Sequence, residues 1–97
     1  MQSFQDRQKI IIKRDGYVCR YCNEKLNANT HTIDHIIPAS HGGNEHPDNL
    51  VMCCKGCNKR AGNLLFADFD VKKSYLSVLA KEARKNKARN KTKNVGK

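Results

Sequence analysis

The sequence predicts a small α+β domain in which a two-stranded hairpin and a short helix lie between an N-terminal and a C-terminal helix. Three observations lead to this prediction: two Cys-x-x-Cys pairs, two strand-like runs joined by a polar loop, and a helical pattern at each end. With 97 residues, three Tyr, three Phe and no Trp, the chain has material for one domain with a small core. Domains of this size often need a metal or cross-links to fold.

The N-terminal pattern is typical of an amphipathic helix. It can begin at a cap residue, Ser3 or Asp6, and run to about Arg14, and Gly16 supplies a stop. Phe4, Gln8, Ile11 and Ile12 fall on one face, which is mainly apolar. We expect this helix to cover the small core and to contribute no chemistry.

The middle of the chain alternates turn signals with β-branched runs. This alternation predicts a cysteine-bearing turn, a strand, a polar loop and a returning strand, at residues 17–26, 30–37, 39–48 and 50–53. Pro38 ends the first strand because proline cannot continue a hydrogen-bonded ladder. From about Lys55 the chain should be helical until Gly62.

The last helix can be capped by Asp68 or Asp70. Its modest apolar stripe consists of Tyr75, Leu76, Leu79 and Ala83. Because no stripe continues beyond this point, we expect a single domain at 1–85, with its motifs at 17–63, and a basic, flexible tail at 86–97.

The net charge of +10 is concentrated at the C-terminal end. The segment from Lys72 to Lys97 carries ten Lys and Arg against Glu82 alone. A block of this kind favours a polyanionic partner, because bound cationic groups release counterions from nucleic acid. The alternative is a solvated tail that only aids solubility. No apolar run approaches the ~20 residues needed to cross a bilayer, so we expect no membrane association.

The two cysteine pairs indicate a metal site. Cys19 with Cys22, and Cys54 with Cys57, have the spacing with which a tight turn aims two sulfurs at one ion. Four thiolates close the coordination sphere of zinc, so this ion should be structural; the alternative is a pair of redox motifs. Strand alternation should point Cys53 away from Cys54, which makes Cys53 a small buried apolar residue.

The cysteine count also bears on location. Five cysteines, an odd number, and the lack of an apolar N-terminal run favour reduced thiols on a metal over secreted disulfides. We therefore expect a cytoplasmic, intracellular protein.

Three polar residues in this region suit hydrolytic chemistry. Asp34 is a hard oxygen ligand for an ion such as Mg²⁺ or Mn²⁺, and Asn58, directly after Cys57, offers an amide oxygen. His35, adjacent to Asp34 on a strand, should face the opposite way and can take a proton from water near neutral pH.

Asp34-His35-Ile36-x-Pro38, Gly42-Gly43, Asn49-Leu50 and Cys54-x-x-Cys57-Asn58 together resemble the HNH endonuclease motif, the ββα-metal finger. The resemblance covers roughly 17–63. It implies a ββα-metal fold in which His35 is the general base and Asn49 braces the loop and orients the imidazole. It also implies that Asp34 and Asn58 bind a catalytic divalent cation, and that phosphodiester hydrolysis leaves a 5′-phosphate and a 3′-hydroxyl.

The chain departs from the family's name at the third motif position, where Asn58 stands instead of His. Zinc-knuckle members of the family, including phage Holliday-junction resolvases, carry Asn there, so the resemblance also suggests a phage-type nuclease. An amide in place of an imidazole should favour Mg²⁺ or Mn²⁺ over softer ions.

The expected partner is DNA, held mainly through its backbone phosphates by a monomer or a homodimer. The candidate contacts are Arg20, His41, Lys55, Lys59 and Arg60. No element suited to reading bases is evident, which predicts weak sequence specificity. Two alternatives stay open: a non-catalytic zinc-stabilised nucleic-acid-binding module, and an RNA endonuclease.

Overall fold

The computed structural model describes the backbone of residues 4–95 and the side chains of residues 5–85. Its elements follow the predicted order: α1 (Phe4–Asp15), β1 (His31–His35), β2 (Leu50–Cys54), α2 (Lys55–Ala61) and α3 (Phe69–Val95). The α+β fold, with a ββα unit between two flanking helices, is therefore confirmed. In the part of the chain that is described, none of the helices has the length and apolar character that crossing a bilayer requires.

Helix α1 ends where the sequence predicted. Gly16 donates from its backbone nitrogen to the carbonyl of Ile12 at 2.8 Å and adopts a positive φ of 67°, a conformation that glycine adopts without steric cost. Ile11 is fully buried against Leu50 and Met52 of β2. The helix thus covers one face of the hairpin.

The two strands pair antiparallel, with Asp34 opposite Val51 and His35 opposite Leu50. Strand β1 is shorter than predicted. Beyond His35 the strand pairing ends, and Asn49 accepts the next two backbone hydrogen bonds. Its backbone carbonyl accepts from the amide of Ile36 at 2.8 Å, and its side-chain Oδ1 accepts from the amide of Ile37. The polar loop contains short 3₁₀ turns at Ala39–His41 and Pro47–Asn49.

Strand β2 is buried at all five positions because both faces of the hairpin are covered. Leu50 and Met52 face α1, whereas Val51 and Cys53 belong to the main core with residues of α2 and α3. Since paired residues share a face, Asp34 faces α2 and α3, and His35, opposite Leu50, faces α1. The hairpin therefore separates the two predicted functional side chains.

The C-terminal helix differs from its predicted pattern. Asp68 accepts from the amide of Val71 at 2.9 Å, as a capping residue should. The line of α3 that is most deeply buried is Lys72, Leu76 and Ala80, and the predicted Tyr75 is exposed. The hydropathy pattern did not predict this buried line of residues, because its first member is a lysine.

The helical backbone of α3 continues to Val95, beyond the end of the predicted stripe. The side chains after Lys85 lie outside the described residues. The domain limits 1–85 and the flexible tail 86–97 stay predictions.

Candidate metal centre and active site

The four predicted cysteine ligands come together in one cluster. The sulfurs of Cys19, Cys22, Cys54 and Cys57 all lie within 4.8 Å of one another, and those of Cys22 and Cys54 are 3.7 Å apart. A tetrahedral zinc with Zn–S bonds of ~2.3 Å requires sulfurs about 3.8 Å apart. The cluster therefore has the donor set and the spacing of a four-thiolate metal site.

The local backbone explains how the sulfurs converge. The first pair lies in a turn closed by a bridge between Val18 and Lys25, with a positive φ of 65° at Asn23. The second pair lies at the junction of β2 and α2, where Cys54 caps the helix by accepting from the amide of Cys57 at 3.3 Å. Two independent turns thus deliver two sulfurs each.

Electrostatics within the cluster favour a cation. Hydrogen bonds from the thiols of Cys53 and Cys57 hold the pKa of Cys19 far below its usual range. The hydrogen bond to Cys19, together with burial, raises the pKa of Cys57, and burial raises the pKa of Cys22 to about 11. The pKa of Cys19 is thus lowered while those of Cys22 and Cys57 are raised, and a bound cation would favour the ionised form of all four sulfurs.

Cys53 is buried, as predicted, but the expectation that it points away from the cluster is wrong. Its thiol donates to the carbonyl oxygen of Cys54 at 3.2 Å, lies close enough to Cys19 to lower the pKa of that thiol, and belongs to the same buried group as the four ligands. Cys54 is the last residue of β2 and also the N-cap of α2, and its thiol is directed toward the amide of Cys57. Cys53 thus supports the cluster from outside the ligand set.

Two arginines approach the sulfurs of this cluster. Nη1 of Arg60 lies 3.9 Å from Sγ of Cys57, and Nη2 of Arg84 lies 3.6 Å from Sγ of Cys22. Their positive charges offset the negative charge that four thiolates leave around a divalent ion. Arg60, predicted as a DNA contact, lies in the structure against the metal cluster.

Asp34 lies at the centre of a buried polar group. The residue is only 6% exposed. Its Oδ2 accepts a hydrogen bond from the hydroxyl of Tyr21 at 2.6 Å and one from Nζ of Lys72 at 2.8 Å. Burial and the nearby Asp34 charge raise the pKa of Tyr21, so its hydroxyl stays a donor.

Asn58 projects from α2 toward the same face of the hairpin. Its Nδ2 donates to Oγ1 of Thr32 at 3.2 Å, and that hydroxyl donates to the carbonyl of Cys53 at 2.9 Å. Because the hydroxyl hydrogen is used on Cys53, Thr32 must accept from the amide, which assigns the nitrogen of Asn58 to this contact. Thr32 and Asp34 share one face of β1, so Asn58 and Asp34 lie on the same side of the hairpin.

The donors on this side suit a hard divalent cation. The described contacts use Oδ2 of Asp34 and Nδ2 of Asn58. The atoms that would hold a cation are therefore Oδ1 of Asp34 and Oδ1 of Asn58, a carboxylate and an amide oxygen.

His35 lies on the other face of the hairpin. Its Nε2 is 2.7 Å from Oε1 of Glu45, a loop residue whose side chain is 55% exposed. The imidazole borders a cavity of about 120 Å³ that is also lined by Arg7, Gln8, His31, Ile33, Glu45 and Leu50. The predicted base therefore contacts solvent through a small cavity. At this end of β1, the side chain of Asp34 points to the opposite side of the hairpin.

Asn49 ties down the loop that follows β1. Its Oδ1 accepts from the amide of Ile37 at 2.9 Å, and its Nδ2 donates to the carbonyls of Ile37 and Asn44 at 3.1 and 2.9 Å. The loop also passes so close to β1 that a Cβ at Gly43 would lie 1.7 Å from the carbonyl oxygen of Ile37. Glycine is required there.

The candidate DNA contacts have different surroundings. Arg20 forms an ion pair with Asp15 at 2.7 Å, and Nε2 of His41 lies 2.9 Å from the carbonyl oxygen of Asn63. Lys55 and Lys59 are exposed on α2. These two lysines are thus the candidates with the freest access to a phosphate.

Sequence reasoning missed four residues around the proposed site: Tyr21, Thr32, Glu45 and Lys72. Lys72 gave the one usable signal, because it stands four residues before Leu76 on the buried line of α3. The others gave none, since their contacts depend on the tertiary fold.

The comparisons with known proteins agree with this geometry. The sequence model of a family described as HNH endonuclease matches residues 19–74. A "CRISPR-associated endonuclease Cas9" of Corynebacterium diphtheriae is 34% identical over 73 residues, which cover 74% of this chain and 7% of the relative. The chain therefore corresponds to a small part of that relative's length.

Proposed function

Because the chain belongs to the HNH endonuclease family, we propose that it is a metal-dependent DNA endonuclease that hydrolyses phosphodiester bonds in duplex or branched DNA. The observation that carries this proposal is the arrangement at the end of β1. There Asp34 and Asn58 share one side of the hairpin, and His35 follows on the other. His35 borders a cavity on the α1 side of the hairpin, while the Asp34 carboxylate and the Asn58 amide lie on the opposite side.

In this proposal Asp34 and Asn58 hold one divalent cation, Mg²⁺ or Mn²⁺, through their Oδ1 atoms. When bound, such an ion polarises a scissile phosphate and offsets the charge that develops on the leaving oxygen. Both ligands are held by neighbouring donors and acceptors, which fixes their orientation before substrate arrives.

His35 acts as the general base. Since its Nε2 is engaged with Glu45, the neutral imidazole that donates Nε2–H to the carboxylate carries its lone pair on Nδ1. Nδ1 is therefore the atom that takes the proton from water, and Glu45 stabilises the imidazolium that results. Asn49 holds the loop that carries Glu45, through its bond to the carbonyl of Asn44.

The four-cysteine cluster holds a zinc ion with a structural role. Four thiolates leave no open position for a substrate. The cluster joins the turn at 17–26 to the start of α2, and thereby fixes the position of Asn58 relative to β1. A reducing, cytoplasmic environment would keep these cysteines available as thiolates for the metal.

DNA is the proposed substrate, and contacts to its backbone phosphates supply most of the affinity. Support comes from the exposed Lys55 and Lys59, from the nine Lys and Arg between Lys73 and Lys97, and from the relative's printed description as an endonuclease. A monomer or a homodimer would carry out this reaction.

A plasmid-nicking assay with Mg²⁺ or Mn²⁺, with and without EDTA, tests this function. We expect the wild type to nick supercoiled DNA only with the metal, and His35→Ala to be slower by ~10²–10⁴-fold, the usual contribution of a general base. His46→Ala, a change to an exposed loop histidine, is the matched control and should keep the wild-type rate.

The same assay separates the alternatives. A wild type that shifts DNA in a gel but never cleaves it would be a binding module, and a preference for RNA over DNA of the same sequence would indicate an RNA endonuclease. Full activity of His35→Ala would reject the assigned base.

A further inference from the structure

Lys72 is a buried cation that the family resemblance does not account for. It is 1% exposed, although a lysine ammonium is among the groups that proteins rarely bury. It projects from α3, outside the ββα unit, to the end of β1. A buried charge of this kind persists only when its partners compensate for lost hydration.

The compensation at Lys72 is complete and specific. Nζ donates to Oδ2 of Asp34 at 2.8 Å, to the carbonyl of His35 at 2.9 Å and to the carbonyl of Ile36 at 3.0 Å. An ammonium has three hydrogens, so these acceptors saturate it. The ring of Tyr21 lies 5.4 Å from Nζ and limits its movement.

Two of these three acceptors belong to residues to which the proposed function gives a chemical role. One is the carboxylate of Asp34, and another is the backbone carbonyl of His35. Only Oδ2 of Asp34 is used by Lys72 and by Tyr21, which leaves Oδ1 as the proposed ligand atom. A carboxylate held in this way through one oxygen presents the other in a fixed direction.

We propose that Lys72 is a positioning residue for DNA cleavage: it fixes the Asp34 carboxylate and the backbone of His35, so that cation ligand and base keep one relative geometry. This inference rests on the proposed nuclease function. It adds α3 to the catalytic unit, because α3 reaches the end of β1 through this side chain.

A positioning role makes two opposite predictions for Lys72→Met, which keeps most of the apolar stem and removes the charge. The ammonium repels a cation bound to Asp34, so its removal should lower the Mn²⁺ dissociation constant, by about three- to tenfold for a screened unit charge at this distance. Loss of the fixed geometry should nevertheless lower the single-turnover rate at saturating Mn²⁺ by about 10- to 100-fold.

The experiment measures both quantities on zinc-loaded protein. Electron paramagnetic resonance of free Mn²⁺ gives the dissociation constant, and cleavage of a labelled duplex gives the rate. Lys73→Met, the adjacent lysine on α3, is the matched control and should change neither. Asp34→Asn is the reference for a lost ligand and should bind Mn²⁺ much more weakly.

Tighter Mn²⁺ binding together with a slower reaction supports the proposal. An unchanged or faster cleavage rate in Lys72→Met would mean that Lys72 only competes with the cation. Weaker Mn²⁺ binding in this variant would mean that Lys72 does not act on Asp34 as described. Either result overturns the proposal. If the wild type binds Mn²⁺ but does not cleave DNA, the nuclease function fails, while the binding data still report on the contact between Lys72 and Asp34.

Should Lys72→Met not fold, Tyr21→Phe decides. It removes only the second donor to Oδ2 of Asp34 and leaves the charge in place. We then expect a rate lowered by about tenfold with an unchanged Mn²⁺ dissociation constant. A rate within twofold of the wild type would overturn the view that donors to Oδ2 position this carboxylate.

Discussion

Removal of zinc should unfold this protein rather than merely loosen it. Among the residues whose side chains the structure describes, ten form the buried main core, and five of these are cysteines at or beside the four-cysteine cluster; Ile11, Leu50 and Met52 form the second buried core. Structural zinc contributes about 10–16 kcal/mol in small domains. The whole free energy of unfolding of a domain is typically about 5–15 kcal/mol. The free energy that zinc binding contributes is thus as large as the net free energy of unfolding of a typical domain.

The assay follows zinc and helix content together. A chelator is titrated into the protein while released zinc is read with a colorimetric indicator and helicity by far-ultraviolet circular dichroism. We expect helix to be lost in step with one zinc per chain, and to return when one equivalent of zinc is added back. Full helicity after complete zinc release would refute the reasoning that the cluster organises the core.

Two substitutions test the ligand set. Cys57→Ser removes a ligand and should abolish stoichiometric zinc binding, which a metal assay after gel filtration measures. Cys53→Ala is the matched control: it removes the neighbouring thiol, so the protein should keep one zinc and lose only about 1–2 kcal/mol through the small cavity. Zinc loss in Cys53→Ala with retention in Cys57→Ser would show that the ligands are wrongly assigned.

Three further changes test the loop, the base and the N-terminal helix. Gly43→Ala places a Cβ 1.7 Å from the carbonyl oxygen of Ile37 and should cost about 1–3 kcal/mol in urea unfolding, with slower cleavage. Glu45→Gln should slow cleavage by about tenfold at saturating DNA, far less than the ~10⁴-fold reported by a buried triad carboxylate, because Glu45 is 55% exposed. Burial would raise the pKa of Asp15, but hydrogen bonds from Arg14, Arg20 and the Met52 amide hold it below its usual range. Asp15→Asn should therefore lower the free energy of unfolding by about 2 kcal/mol at pH 7, and the difference should narrow below about pH 5 as the carboxylate is protonated.

Three substitutions at exposed positions serve as controls: Ser40→Ala for Gly43→Ala, Glu24→Gln for Glu45→Gln, and Asp70→Asn for Asp15→Asn. Each should lie within about 0.5 kcal/mol of the wild type in stability and near its cleavage rate. Wild-type stability of Gly43→Ala, an unaltered rate for Glu45→Gln, or a stability loss in Asp15→Asn that grows as the pH falls would each contradict the contact concerned.

Local patterns in the sequence predicted the elements and the convergence of the four cysteines. The Cys-x-x-Cys spacing is itself the geometry of a turn that binds metal, and the β-branched run ending at Pro38 defined β1 to within two residues at its C-terminal end. Gly16 and Gly62 marked helix ends, and both adopt a positive φ. Such signals depend only on residues that are close in the sequence, so they can be recognised before the fold is known.

The sequence did not predict the pairings of charged side chains that become buried in the fold. Lys72 and Asp34 are 38 residues apart, and the lysine was counted with the basic tail although its charge is buried on an acid. Asp15 was assigned no role, yet it accepts hydrogen bonds from Arg14, Arg20 and the amide of Met52. Helical spacing aligned Lys72 with Leu76, but it gave no indication of which acid the lysine would contact once the helices and the hairpin packed.

The central claim is a division of labour, in which Asp34 and Asn58 hold the cation and His35 removes the proton. The most direct measurement is the single-turnover cleavage rate of His35→Ala on a labelled duplex at saturating Mn²⁺, with Mn²⁺ binding measured on the same sample. We predict unchanged Mn²⁺ affinity and a rate lower by ~10²–10⁴-fold. A wild-type rate, or a rate loss explained by lost Mn²⁺, would contradict the account.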